Sequence, residues 1–115
     1  MCKSDRELLE LAAKAAGYSL CWTHGGDLCW LNRAWDVQAN NDEPWNPFTD
    51  DGDALRLAGK LCMTICTDGD LFVSAGFLFT HGPLVTQRIE DAGDKEAATR
   101  RAIVRAAAAI GEAMK

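Results

Sequence analysis

Apolar residues recur at helical spacing in the first part of the chain. The segment 5–16 carries leucines and alanines three and four positions apart, which is the pattern of an amphipathic helix. The preceding Ser4-Asp5-Arg6-Glu7 matches a capping box, and Gly17 is a typical residue for ending a helix. The pattern predicts a helix over 5–16.

Two further segments have helical spacing. One begins at Thr49 or Asp50 and continues to about Lys60, with Leu57 among its apolar positions. The other runs from Lys95 to about Met114 and is rich in alanine, which is the strongest helix former. We expect the apolar side of this last helix to pack closely against its neighbours.

Short β-prone runs separate the predicted helices, and hairpin-type turns join several of them. They cover 18–22, 28–31, 62–67, 71–79 and, more weakly, 84–89. The order is therefore α-β-β-α-β-β-(β)-α. Because hairpins dominate, we expect a mostly antiparallel sheet flanked by helices, which is the α+β class. The stretch 32–49 shows no regular pattern.

Length and composition describe one ordinary globular domain over 1–115, with 48% hydrophobic and 25% charged residues. No apolar run approaches the roughly 20 residues of a membrane span, and no secretory signal is evident. We therefore expect a cytoplasmic protein whose five cysteines are reduced thiols.

The net charge of −5 is unevenly distributed. Residues 1–93 contain fourteen acids and seven bases, whereas 94–115 contain three acids and five bases. This balance argues against direct nucleic-acid binding, which requires clustered lysine and arginine. A basic or nucleic-acid-binding partner protein remains compatible with it.

The stretch from Trp35 to Asp53 combines tryptophans with six acids and no base. Exposed indoles supply buried area in protein interfaces, and acids steer a basic partner. An equally weighted alternative is that the indoles pack onto the core and the acids only solvate the loop. The candidate interface residues are Trp35, Asp36, Asp42, Glu43, Trp45, Asp50, Asp51 and Asp53.

Three arginines on the last helix form a second candidate site, for an anion or a nucleotide. Arg100, Arg101 and Arg105 offer guanidinium groups that match phosphate geometry. The simpler interpretation is a solvated helix face with salt bridges to Glu96 and Glu112.

Metal binding and catalysis receive little support from the sequence. Cys62 and Cys66 have a loose metal-ligand spacing but lie in a predicted strand, and His24 and His81 lie in predicted turns. The aspartates at 50–53 lack the ligand spacing of an EF-hand loop. We predict no metal, no cofactor and no enzymatic activity.

Three blocks of the chain resemble the phage ABA-sandwich domain family of small phage and prophage proteins from Gram-negative bacteria. They are DRELLELAAKAAG at 5–17, WNPFTDDGDALRLA at 45–58 and AATRRAIVRAAAA at 97–109. The resemblance implies a three-layer α/β/α sandwich and an accessory phage gene, and it brings no catalytic residues. The segment 32–43 and the cysteine-rich strands depart from the family pattern.

These observations predict a phage accessory protein that binds a host protein in the bacterial cytoplasm. The most specific form of this prediction is an inhibitor of an anti-phage defence system such as a CRISPR effector. The alternatives are a binder of small nucleotide signals and a virion or assembly component, the latter favoured if the chain forms a homodimer. No membrane partner is expected.

Overall fold

The computed structural model describes residues 4–22, 29–32, 42–67, 69–76 and 84–114. The helices of this part are α1 (Asp5–Ala16), α2 (Asp51–Lys60), α3 (Ile89–Ala92) and α4 (Lys95–Ala113). The strands are β1 (Ser19–Trp22), β2 (Cys29–Asn32), β3 (Asp42–Pro44), β4 (Thr64–Cys66), β5 (Phe72–Gly76) and β6 (Leu84–Arg88). The predicted α+β class is confirmed.

The strands form two antiparallel sheets rather than one. Their orders are β1-β2-β3 and β4-β5-β6. Strand β3 lies within the stretch that showed no regular pattern, because its three residues Asp-Glu-Pro carry no alternation; pairing with β2 places Glu43 opposite Leu31. The one-turn helix α3 was also not predicted, and it ends at Gly93 with a φ of 108°.

The predicted helix ends are formed by the residues that the sequence indicated. The Ser4 hydroxyl accepts a hydrogen bond from the Glu7 amide, and Gly17 closes α1 in the left-handed region with a φ of 77°. The Asp50 carboxylate caps α2, and the Asp94 carboxylate caps α4 through the Ala97 amide. Side-chain caps therefore fix the starts of all three long helices.

Helix α4 lies at the centre of the molecule and packs against α1, α2, β5 and β6. Its buried positions are mostly alanines, which allow neighbouring elements to come close. Helix α1 runs parallel to α4, since Asp5 pairs with Arg101 and the Lys14 ammonium donates to the carbonyl of Met114.

The β4-β5-β6 sheet turns one face towards α4. Val73 and Ala75 on β5 and Gln87 on β6 are buried on that face. Phe72 and Thr86, which have the opposite phase along their strands, are exposed. The described helices cover only this one face of the sheet, and among these residues no helix combines the length and the apolarity required to cross a bilayer.

Candidate binding groove between α1, α4 and β6

The indole of Trp45 lies in the core, with 3% of its surface exposed. Its ring meets Tyr18 edge to face, with the centroids 5.9 Å apart. The large apolar ring gains more from this burial than from display at the surface. The prediction of Trp45 as an interface residue is therefore wrong, and the alternative that the indole packs onto the core is correct.

Asp53 is also buried, which corrects its assignment to the interface. Its carboxylate accepts a hydrogen bond from the Asn46 amide at 3.0 Å and one from Arg56 Nη2 at 2.8 Å. A buried carboxylate requires such partners to offset its lost hydration. Asp53 thus joins the loop before α2 to the first turn of that helix.

Asp50 and Asp51 are exposed but already have partners within the chain. Asp50 Oδ1 accepts from the Gly52 amide at 2.8 Å, as an N-cap does. Asp51 Oδ1 accepts from Arg100 Nη1 at 2.6 Å. Capping and ion pairing therefore account for the aspartates at the start of α2.

The remaining candidates from the acidic stretch cannot be placed in a site. Trp35 and Asp36 lie outside the described residues. Asp42 and Glu43 belong to β3 by their backbone, and the structure does not describe their side chains. Their part in an interface stays a prediction.

Arg100 has a structural position. Its side chain is 18% exposed, and its Nε donates to the carbonyl of Phe48 at 2.7 Å. Together with the bond to Asp51, this contact holds the start of α2 against α4. Arg100 therefore joins two elements of the fold, and it does not line the groove that contains the other two candidate arginines.

Arg101 and Arg105 line one open groove of about 900 Å³. Because they are four residues apart on α4, their side chains leave the same side of the helix. Helix α1 and strand β6 form the walls, and apolar surface comes from Leu8, Phe48 and Val85. Of the three arginines predicted to form an anion or nucleotide site, the structure brings these two together in one groove. Anion binding by the groove stays a prediction.

Arg101 crosses the groove towards α1. Its Nη2 donates to Asp5 Oδ1 at 3.2 Å, and its guanidinium carbon lies 5.2 Å from the centroid of the Phe48 ring. The ring orients the planar group by a cation–π contact. Arg101 Nε and Nη1 have no partner among the described residues.

Arg105 is held against strand β6. Its Nη1 donates to Gln87 Oε1 at 2.8 Å and to the Thr86 carbonyl at 3.3 Å. Gln87 is buried and in turn donates from Nε2 to the Arg88 carbonyl at 3.1 Å. Within the described part of the chain, Nε and Nη2 of Arg105 are left without an acceptor.

The groove also contains carboxylates. Asp91 of α3 and Glu112 of α4 line it and are exposed, and Asp5 is already bonded to Arg101. The groove therefore contains charges of both signs, two guanidinium groups and three carboxylates, together with an apolar surface. This mixture suits a ligand that has both polar and apolar groups better than a ligand that is only a charge. Open geometry of this kind admits a chain segment as readily as a small molecule.

Sequence reasoning missed Asp5, Phe48 and Gln87, which orient the two arginines. Asp5 and Phe48 come from segments remote in the sequence, so no local pattern could have assigned them. Gln87 did leave a signal. It lies between Val85 and Ile89 at the inward phase of a strand, where an isolated polar residue requires a buried partner.

A metal centre does not appear in the part of the chain with described side chains, where no three potential ligands come together. Cys62 is exposed and Cys66 partly exposed, and both are free thiols. His24 and His81 lie outside the described residues.

Comparison with known proteins returned no match to a family model, to a curated protein or to a solved structure.

Proposed function

We propose that this protein acts by binding a partner protein, and that the groove between α1, α4 and β6 receives a segment of that partner. One observation carries the proposal. Arg101 and Arg105 are fixed side by side in an open groove, and each has hydrogen-bond donors that no described residue uses. Preorganised donors of this kind lose little freedom when a ligand binds.

A polypeptide segment suits the groove better than a small anion does. A compact phosphate can use only the guanidinium groups, whereas a peptide can also make backbone hydrogen bonds and cover the apolar surface of the groove. The apolar surface from Leu8, Phe48 and Val85 can cover aliphatic side chains. The interface then combines an apolar floor with charge-assisted hydrogen bonds.

The biological setting of the proposal follows from the resemblance to small phage proteins. In that setting the chain is an accessory protein of a phage of Gram-negative bacteria, and its partner is a host defence protein such as a component of a CRISPR effector. The acidic balance of 1–93 suits a partner that itself binds nucleic acid.

A second candidate function uses the same two guanidinium groups. The contact between Arg101 and Phe48 provides a flat surface on which a nucleobase can stack, and Arg105 has donors for a phosphate. This observation supports a small anionic nucleotide signal as ligand. A thermal-shift screen with cyclic nucleotides tests it, because a ligand that binds the folded state raises the melting temperature.

The test of the main proposal is affinity capture from a lysate of a Gram-negative host at physiological salt. Wild-type protein is compared with Arg105→Gln, which removes one of the two positive charges in the groove, and with Lys60→Gln. Lys60 is exposed at the end of α2 and does not line the groove, so this control removes one positive charge elsewhere.

Capture of one protein by the wild type and by Lys60→Gln, with loss of it by Arg105→Gln, is the expected result. Equal capture by all three proteins would place the interface elsewhere. Recovery of no specific partner, together with no loss of host defence on expression, would refute a protein-binding function in this host.

A further inference from the structure

Strand β6 is an edge of its sheet in the described part of the chain, because it pairs only with β5. Its inward-facing residues Val85 and Gln87 line the groove. The groove therefore lies beside the free edge of a sheet, under α1 and α4. An edge of this kind presents backbone groups that another chain can use.

The hydrogen-bond phase of β6 shows which backbone groups face outwards. The Ile89 amide donates to the carbonyl of Leu71, which continues the register between the two strands. In an antiparallel pair the residues that exchange hydrogen bonds alternate. Val85 and Gln87 consequently direct their amides and carbonyls to β5, whereas Leu84, Thr86 and Arg88 direct theirs to the free edge.

Two of these outward carbonyls, those of Thr86 and Arg88, already accept a hydrogen bond from a side chain. The Thr86 carbonyl accepts from Arg105 Nη1, and the Arg88 carbonyl accepts from Gln87 Nε2. The amides of Thr86 and Arg88 have no acceptor among the described residues. At Thr86 and Arg88 the edge therefore offers amide donors beside carbonyls that each already accept one bond, which favours a partner that supplies acceptors.

We infer that the groove recognises an acidic, extended segment of a partner protein, which places acceptor oxygens on the amides of Thr86 and Arg88 and a carboxylate on Arg105. The inference rests on the proposed protein-binding function and specifies the chemistry of the partner. The two amides are about 7 Å apart, two residues along the strand. Alternate carbonyls of an extended chain have the same spacing.

The two arginines add the charge term of this recognition. Nε and Nη2 of Arg105 lie on one edge of its guanidinium plane and match the two oxygens of a carboxylate. Arg101, one turn earlier on α4, can donate from its Nε or its Nη1 to a second acidic side chain on the same segment. A segment with acids at alternate positions satisfies both arginines and both amides.

The probe for this inference is the peptide acetyl-Val-Glu-Val-Glu-Val amide, compared with its counterpart in which both glutamates are glutamine. Nitrogen-15 NMR titration follows the amides of Thr86 and Arg88 and the Nε–H of Arg105. We expect these signals to shift with the glutamate peptide. We expect the glutamine peptide to bind more weakly by about tenfold or more, since it lacks the charge-assisted hydrogen bonds.

Two substitutions at Thr86 distinguish the contribution of its backbone amide to binding from that of its side chain. Thr86→Pro removes an amide that makes no bond to β5, and proline is compatible with an edge strand. Thr86→Val retains the amide at similar volume and serves as the control. We expect the affinity for the peptide to fall several-fold in the proline variant only. Arg105→Gln provides an independent test if Thr86→Pro does not fold, and should weaken binding about tenfold or more.

Binding of the glutamine peptide as tightly as the glutamate peptide, or no binding of either, would overturn the inference. The inference would also be overturned if succinate or a cyclic dinucleotide shifted the signals of the same amides and the peptide did not. That result would identify a small anion as the ligand. If Arg105-dependent capture of a host protein persists in any of these cases, the protein-binding function stands and only the chemistry assigned to its partner fails.

Discussion

Helix α4 has two flanks, one towards α1 and one towards β6, which differ in how closely they pack and in how many hydrogen-bond donors have a partner. Towards α1 the helices are in backbone contact, since a Cβ on Gly111 would overlap the carbonyl oxygen of Leu11. Towards β6 the same helix borders an open groove in which Arg101 and Arg105 have vacant donors. On the α1 flank the two helix backbones pack directly against each other. On the β6 flank a groove remains, and arginine side chains cross it.

Arg100 and Arg105 show the same difference at the level of one residue type. Arg100 joins two elements of this chain through Phe48 and Asp51. Arg105 is anchored at one Nη only and directs its other donors outwards. The comparison indicates that stability resides mainly on the α1 flank and recognition on the β6 flank, and the following substitutions test that division.

The largest effect is expected for Gly111→Ala. The added methyl group would overlap the Leu11 carbonyl, so α1 and α4 must separate. We expect the free energy of unfolding to fall by about 3 kcal/mol. Denaturant unfolding followed by circular dichroism measures it. Gly59→Ala on α2 is the matched control, because its Cβ would meet no atom within 4 Å; it should stabilise by about 0.5 kcal/mol or more. A neutral Gly111→Ala would show that the helices are not in contact there.

Asp53→Asn should have the next largest effect. The substitution removes the negative charge that pairs with Arg56, and it leaves the Asn46 backbone amide facing an NH₂ group or a weaker acceptor. We expect a loss of about 2 kcal/mol in the free energy of unfolding. Asp70→Asn, at an exposed position, should change it by less than about 0.5 kcal/mol. Equal effects of the two substitutions would contradict a buried role for Asp53.

Arg100→Gln should destabilise the fold by about 1.5 kcal/mol, mainly through the lost bond to the Phe48 carbonyl. The pair with Asp51 adds little, because the Asp51 side chain is 78% exposed. Thermal unfolding of the variant measures the change. A partner affinity that falls without any loss of stability would instead assign Arg100 to the groove.

Arg105→Gln should have the smallest effect on stability and a large one on binding. The guanidinium is only partly buried, and the glutamine introduced at position 105 retains an NH₂ group that can donate to Gln87 Oε1. We expect a change of less than about 1 kcal/mol in the free energy of unfolding. Unfolding by urea, measured beside Arg100→Gln, compares an arginine that joins α2 to α4 with one that lines the groove. A loss larger than that of Arg100→Gln would make Arg105 a structural residue.

Elements with a local signal could be predicted from the sequence. Helix α1 has the bounds that its capping box and Gly17 indicated, and α4 begins at the predicted residue. The (i, i+4) spacing of Arg101 and Arg105 also placed them on one face. These features depend on neighbours in the sequence, so a pattern is sufficient to find them.

Features that depend on remote partners could not be predicted in the same way. The acidic and aromatic composition before α2 has the same appearance whether Trp45 is exposed or packed on Tyr18. The role of Asp53 depends on Asn46 and Arg56, and that of Arg105 on Gln87 from another element. Strand β3 forms because β2 lies beside it, not because of its own residues.

The most direct test of the central claim is the dissociation constant of the captured partner, measured by titration calorimetry for three proteins. These are the wild type, a groove variant with Arg101→Gln and Arg105→Gln, and an acidic-end variant with Asp50→Asn and Asp51→Asn. The account predicts binding that is weaker by about tenfold or more for the groove variant and unchanged for the acidic-end variant. Unchanged binding by the groove variant together with weaker binding by the acidic-end variant would contradict the account. That result would place the interface at Asp50 and Asp51, at the start of α2.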